Sequence, residues 1–188
     1  SAASDVYKRQ KSYCEAGGAA FAGGLQGYLE RLADGDTSLD RDMAFRSLLQ
    51  EAGEDPVMRD VQDQFFDRAY WTPSVQSAGA TGISTGLGTG VVYDSHVHGS
   101  WRAMRDRTND RHGLASDIGE NTWVSHYVSE RRDWLANHAR ADLHLTVYRM
   151  DAFRQLINAA NWDLGLPLRI CGVLIDEDIL SASPVRIS

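Results

Sequence analysis

Three charged residues stand where helical periodicity calls for apolar ones. Asp94 lies on the stripe Leu87, Val91, Asp94, His98, and Arg131 on the stripe Trp123, Tyr127, Arg131, Trp134. Arg149 falls between Leu145 and the pair Ala152 and Phe153. Each helix turns its stripe toward a core, and a buried charge without a partner is strongly unfavourable. The economical solution is that the three meet, one carboxylate between two guanidiniums. Such a group keeps a net positive charge. That excess attracts a second carboxylate, such as a catalytic acid, and either orients it or holds its pKa down. The opposing reading is three amphipathic side chains reaching to solvent.

Two histidines follow the carboxylate. His96 and His98 are two residues apart and so do not share a helix face. His98 follows Asp94 at i+4 and is placed to line a cleft. A metal held by these histidines and Asp94 would lack a third and fourth ligand at suitable spacing. No metal and no other cofactor is expected. Gly86-x-Gly88-x-Gly90 lacks the Lys-Ser/Thr ending of a phosphate loop and the dinucleotide spacing. No Gly-x-Ser-x-Gly elbow and no Cys/His nucleophile pair is present.

The elements that must carry these residues are mostly helices. Phe21, Leu25, Leu29 and Leu32 predict a helix over Ala20 to Ala33, weakened by Gly23, Gly24 and Gly27. A second is expected from about Asp40 to Ala52, ending at Gly53. Asp55-Pro56 is a capping residue followed by Pro at the first helical position, and Val57, Val61, Phe65 and Ala69 recur behind it. Thr72-Pro73 repeats the signal for a short helix. Ser84 to His98 reads as a closely packed helix rich in small residues. Trp101 to about Arg107 reads as a short one, and Asn109 to Gly119 as loop. Trp123 to Leu135 and Leu145 to Ala160 read as amphipathic helices. Leu168 to Ile175 alternates with β-branched residues and predicts a strand or hairpin, with Asp176-Glu177-Asp178 as a turn. Seven helical segments and a small β element make a mainly α domain.

The 188 residues fit one domain, and 43% hydrophobic with 24% charged residues argue against disorder. The formal net charge of −7 is a poor match for nucleic acid and a better one for a cationic or neutral substrate. No run approaches the length of a membrane span. Cys14 and Cys171 are too few for a disulfide scaffold; they read as small buried apolar residues, with a bridge left open. Ser1 to Gln10 shows neither periodicity nor a capping signal. It resembles translated adapter sequence at the edge of a metagenomic fragment, and is read as a non-native leader (residues 1–10) before a domain over residues 11–188.

Several segments together resemble glycoside hydrolase family 46, the chitosanases. Val92-Tyr93-Asp94-Ser95-His96-Val97-His98-Gly99 is similar to the family's Tyr-Asp…His-Gly motif. The run Asp55-Pro56-Val57-Met58-Arg59-Asp60-Val61-Gln62 to Tyr70-Trp71 resembles the helix leading into it. Tyr148-Arg149-Met150-Asp151 and Asn161-Trp162-Asp163-Leu164-Gly165-Leu166-Pro167-Leu168 resemble the family's Arg-x-Asp helix and its Asn-x-Asp-Leu-x-x-Pro-Leu ending. The order and spacing of these matches carry the resemblance.

The resemblance implies a mainly α, lysozyme-like, two-lobed helical domain with a small C-terminal β strand or hairpin. It implies an endo-acting, inverting hydrolase of β-1,4-linked glucosamine polymers, using a Glu as general acid and an Asp as general base through a water. It implies a supporting ion network of Asp94, Arg131 and Arg149 beneath the acid, with Arg132 as fallback for Arg131. Tyr93, His96, His98 and Trp101 become candidate substrate-binding residues, although aromatic residues at such spacing are more often core. The catalytic Glu and Asp of the family lie N-terminal to the matched region. Of the early carboxylates here, Glu15, Glu30, Asp34 and Asp36, none is expected to be catalytic, so this fragment is expected to be inactive. The implied partner is chitosan or a related amino-sugar polymer, with no nucleic acid and no membrane, for a secreted monomer. A peptidoglycan hydrolase of the same superfamily and a non-catalytic carbohydrate-binding module are the alternatives.

Overall fold

The structure, a computed structural model, describes residues 2–181, with side chains from Asp5 onward. Ser1 of the expected leader and residues 182–188 of the expected domain lie outside the described residues. The chain divides into two compact units, one up to Ala69 and one from Tyr70.

The first unit is built from helices α1 (Ala2–Glu15), α2 (Ala22–Gln26), α3 (Leu29–Ala33), α4 (Met43–Gly53) and α5 (Pro56–Phe66). Its core is Tyr13, Leu25, Leu39, Phe45, Ala52 and Met58. The first ten residues carry no periodicity, yet from Ala2 they run within α1, where Gln10 is buried and Arg9 sits over the rings of Phe65 and Phe66. Tyr13 is fully buried and donates its hydroxyl to Asp55 Oδ2 at 2.5 Å. Asp55 also accepts from the backbone N–H of Ala20 at 2.9 Å and of Val57 at 2.9 Å, the latter as the expected helix cap. One carboxylate therefore ties α1, the start of α2 and the start of α5 together. The helix expected over Ala20 to Ala33 is broken in two around Gly27, where a glycine offers little to hold the turn. The helix expected from Asp40 instead begins at Met43. Asp42 caps it by accepting from Phe45 N–H, and Thr37–Arg41 before it is a 3-10 turn. Gly53 is its last helical residue rather than the one beyond it.

Residues Asp67–Trp71 are π-helical. The second unit holds α6 (Thr72–Thr81), α7 (Gly86–Val97), α8 (Trp101–His112), α9 (Ala115–Ile118), α10 (Glu120–Ala136), α11 (Ala141–His144) and α12 (Val147–Asn158). A two-stranded antiparallel hairpin follows, β1 (Leu168–Ile170) and β2 (Val173–Ile175), then α13 (Glu177–Ser181). Ile170 pairs with Val173, so the hairpin turns at Cys171-Gly172, both at positive φ. Asp176 to Asp178 is therefore not the turn expected there. Asp176 instead accepts from Ile179 N–H at the start of α13. Cys171 is exposed, contrary to the buried role expected of it, because the tight turn places it outside the sheet; Cys14 is half-buried and both thiols are free. The loop expected over Asn109 to Gly119 is mostly helical: α8 runs on to His112, and Gly113 ends it before α9.

The core of the second unit centres on α10, whose Trp123, Val124, Tyr127, Val128 and Leu135 are buried with Val91 and Val92 of α7 and Met150 of α12. Helix α7 approaches closely because its stripe is small. A Cβ at Gly88 would lie 2.6 Å from Ile83 Cγ2 and 3.0 Å from Glu120 Oε1. Glu120 gathers the turn before α7 by accepting from the N–H and hydroxyl groups of both Ser84 and Thr85. The mainly α architecture with a C-terminal hairpin is the one expected.

Candidate functional site

The three out-of-pattern charges meet. Asp94 near the end of α7, Arg131 on α10 and Arg149 on α12 are brought together by the packing of those helices on one core. Arg131 Nη1 donates to Asp94 Oδ2 at 2.5 Å. Arg149 donates through Nε to Asp94 Oδ1 at 2.9 Å and through Nη2 to Oδ2 at 3.2 Å. The Arg131 side chain is 1% exposed, and those of Asp94 and Arg149 are each 13% exposed. The solvated alternative is thereby excluded. Arg132, the fallback, faces elsewhere and pairs with Asp151 at 2.6 Å.

Ser95 completes the group, and sequence reading missed it. Its hydroxyl accepts from Arg131 Nη1 at 2.7 Å and from Tyr127 OH at 2.9 Å, and donates to Val91 O at 2.8 Å. Ser95 sits at i+4 from Val91 on the buried face, so a small polar residue on an apolar stripe was the available signal. Burial pushes the Tyr127 phenol up to about 12, so it stays a hydrogen-bond donor at ordinary pH. Two guanidiniums against one carboxylate leave one excess positive charge in this interior. Arg131 Nε is buried without a partner among the described residues.

The four expected substrate residues are not gathered at one surface. Trp101 is 4% exposed and packs against Trp123 and Tyr127 with ring centroids 6.2 and 5.3 Å away. It is a core residue whose remaining exposed edge lines the same depression as His96. His96 stacks on Trp101 and shares a hydrogen bond with Ser77 Oγ at 3.0 Å, facing a wide depression lined also by Arg102 and Arg105. His98 instead lines a separate cavity of about 240 Å³ together with Arg131 and Arg149. Its Nε2 is 3.8 Å from Asp94 Oδ1. Burial and the nearby Arg149 hold His98 below the usual imidazole range, against the pull of Asp94. Tyr93 is half-buried, edge-on to the exposed Trp71 at 5.6 Å. With His96 turned to Ser77, the histidines and Asp94 do not converge as metal ligands.

The early carboxylates have structural surroundings. Asp36 is held at about 2 by hydrogen bonds from Ser38 and Arg31. Glu15 and Glu30 are exposed, Glu15 lying 3.9 Å from Lys11 Nζ, and Asp34 is an exposed residue at the end of α3. Among the described residues no helix is long and apolar enough to cross a membrane.

Comparison with known proteins points to one family. The profile of glycosyl hydrolase family 46 matches residues 18–168. A chitosanase of Bacillus subtilis (strain 168) is 28% identical over 139 residues, which is 67% of this chain and 50% of the relative. The chain thus spans about half the length of that curated relative. A native chitosanase from Bacillus subtilis MY002 superposes with a TM-score of 0.77 at 26% identity, covering 92% of this chain and 79% of that one. The same enzyme has been solved as a mutant complexed with 6 GlcN. A chitosanase from Gynuella sunshinyii, in complex with chitotetraose, shares the fold with a TM-score of 0.71 at 24% identity, covering 80% of this chain and 70% of that one.

Proposed function

The chain belongs to glycosyl hydrolase family 46, and from that premise we propose that it serves the endo-acting, inverting hydrolysis of β-1,4-linked glucosamine polymers as a secreted monomer. The observation that carries this reading is Asp94 held between Arg131 and Arg149. The excess positive charge of that group supplies a seat for one more carboxylate, and seating fixes where a catalytic acid points. The network itself transfers no proton. Its guanidiniums do not give up their charge, and both oxygens of Asp94 are engaged by them.

Glu15, Glu30, Asp34 and Asp36 do not supply the acid and base in this reading. Asp36 is held ionised, Glu30 and Asp34 are exposed, and Glu15 is an exposed residue at the rim of a depression lined by Lys8, Lys11 and Arg68. These 188 residues by themselves are expected to release few reducing ends from chitosan. Rapid release would overturn that expectation and point to Glu15 or Glu30.

Binding tests the function apart from turnover. The chain is expected to be retained on chitosan particles and washed off cellulose and purified cell walls. Retention on cell walls alone would favour a peptidoglycan substrate instead. Passage through all three would remove the carbohydrate reading.

A further inference from the structure

A second depression lies on the side of α7 that His96 faces, apart from the cavity that His98 shares with Arg131 and Arg149. It holds about 890 Å³, room enough for an oligomeric ligand, and is walled mainly by α6, α8 and α9. Arg102, Arg105 and Asn109 line it from α8. Their spacing of i, i+3 and i+7 sets them on one helix face, over about 10 Å along the axis.

The lining carries an uncompensated positive charge. Arg102, Arg105 and Asp106 are its Asp, Glu, Lys or Arg members, and Arg105 is paired with Asp106 at 2.6 Å. Arg102 is exposed and makes no ion pair or hydrogen bond among the described residues. Burial and the nearby Arg102 hold His96 below the usual imidazole range, so it adds no charge at neutral pH. The chain as a whole carries −7, so this lining runs against its background. A guanidinium without a partner on a concave surface matches a carboxylate, which it can meet with two parallel hydrogen bonds. A glucosaminium ion would meet like charge there.

The rest of the lining suits a hydroxyl-rich body. Asn109 Oδ1 accepts from Trp123 Nε1 at 2.8 Å, which orients the amide and leaves its N–H groups as donors. Gln76, Ser77 and Ser116 add amide and hydroxyl groups. The walls are helical and offer no strand edge to which an extended peptide could add.

We propose that this depression binds a uronic acid oligosaccharide, with a ring carboxylate on Arg102 and ring hydroxyl groups on Asn109, Gln76 and Ser77. It is a binding site and performs no reaction. The inference goes beyond the reading of the chain as a chitosan hydrolase and stands without it.

The test is calorimetric titration of the 188-residue chain with the galacturonic acid trimer and with the same trimer fully methyl-esterified. The acid is expected to bind about tenfold more tightly than the ester. Arg102→Gln changes an exposed side chain without a partner, so the fold is expected to stay intact. It is expected to weaken the acid trimer about tenfold and leave the ester unchanged. Arg105→Gln releases Asp106, whose charge then opposes the carboxylate, and is expected to weaken the acid trimer about threefold. Binding of neither trimer, equal binding of both, or an unaltered affinity in either folded variant would overturn the inference. Equal or tighter binding of a triglutamate peptide would overturn the saccharide class. Each of these outcomes leaves the proposed function standing, because retention on chitosan particles tests that separately.

Discussion

Arg131 reaches across from α10 to Asp94 on α7, and the same Nη1 that meets the carboxylate at 2.5 Å meets Ser95 Oγ at 2.7 Å. Consecutive helical residues point about 100° apart, so one guanidinium nitrogen spans the angle between them. That is possible because Arg131 comes in sideways on a neighbouring helix and is fully enclosed by the core. The charge is tolerable there only while Asp94 answers it.

Removing one partner should therefore be severe. Arg131→Ala is expected to cost about 2–5 kcal/mol, since it empties a fully buried site and takes one hydrogen bond from each of Asp94 and Ser95, although Arg149 still pairs with the carboxylate. Arg132→Ala, whose side chain is about one-third exposed in a pair with Asp151, is expected to cost about 1 kcal/mol or less. Urea unfolding of the two variants side by side checks the contrast. Equal costs would mean that the enclosed network is not what holds α7, α10 and α12 together.

Asp94→Asn tests the same group from the other side. It leaves the shape nearly unchanged and leaves two guanidiniums without a counter-ion. A loss of about 3 kcal/mol or more is expected, partly recovered when Arg149→Met is added. A double-mutant cycle reads this coupling. Strict additivity would argue against direct pairing.

Glu130 predicts an acid-sensitive step. Burial would raise its carboxyl, but hydrogen bonds from His112, Arg107 and Arg111 hold it down to about 2. A carboxyl lowered on folding stabilises the fold above its unfolded value near about 4.3, and that contribution fades as pH falls toward the folded value. Stability should thus drop by about 2 kcal/mol between about pH 5 and pH 2 from this group alone. Glu130→Gln is expected to flatten that part of the profile. Denaturant midpoints taken across the range provide the check, and an unaltered slope in the variant would refute the assignment.

Gly88→Ala should destabilise the second unit although alanine is the better helix former. The added Cβ would lie 2.6 Å from Ile83 Cγ2 and 2.9 Å from Thr85 Oγ1. Crowding of this kind costs about 1–3 kcal/mol. Gly90→Ala, where the nearest atom is Phe153 Cε1 at 3.9 Å, is expected to be neutral or slightly stabilising. Thermal midpoints of the pair decide it.

The sequence by itself determined the local elements and flagged the network. Asp55-Pro56 could only begin a helix well, and Asp94, Arg131 and Arg149 stood out because 3.6-residue periodicity placed charges among apolar neighbours. These are short-range signals, written in spacing. Tertiary packing decided what no spacing records: that Arg131 rather than Arg132 reaches Asp94, that Ser95 joins them, and that Trp101 is walled in by Trp123 and Tyr127. It also separated His96 from His98, because residues two apart on a helix look into different surroundings. The helix over residues 2–10 falls in the same class. Its own sequence carries little helical signal, and its order accompanies the burial of Gln10 and Tyr13 and the seat of Arg9 over Phe65 and Phe66. Which partner a side chain meets depends on residues far along the chain, and only the closed core selects among them.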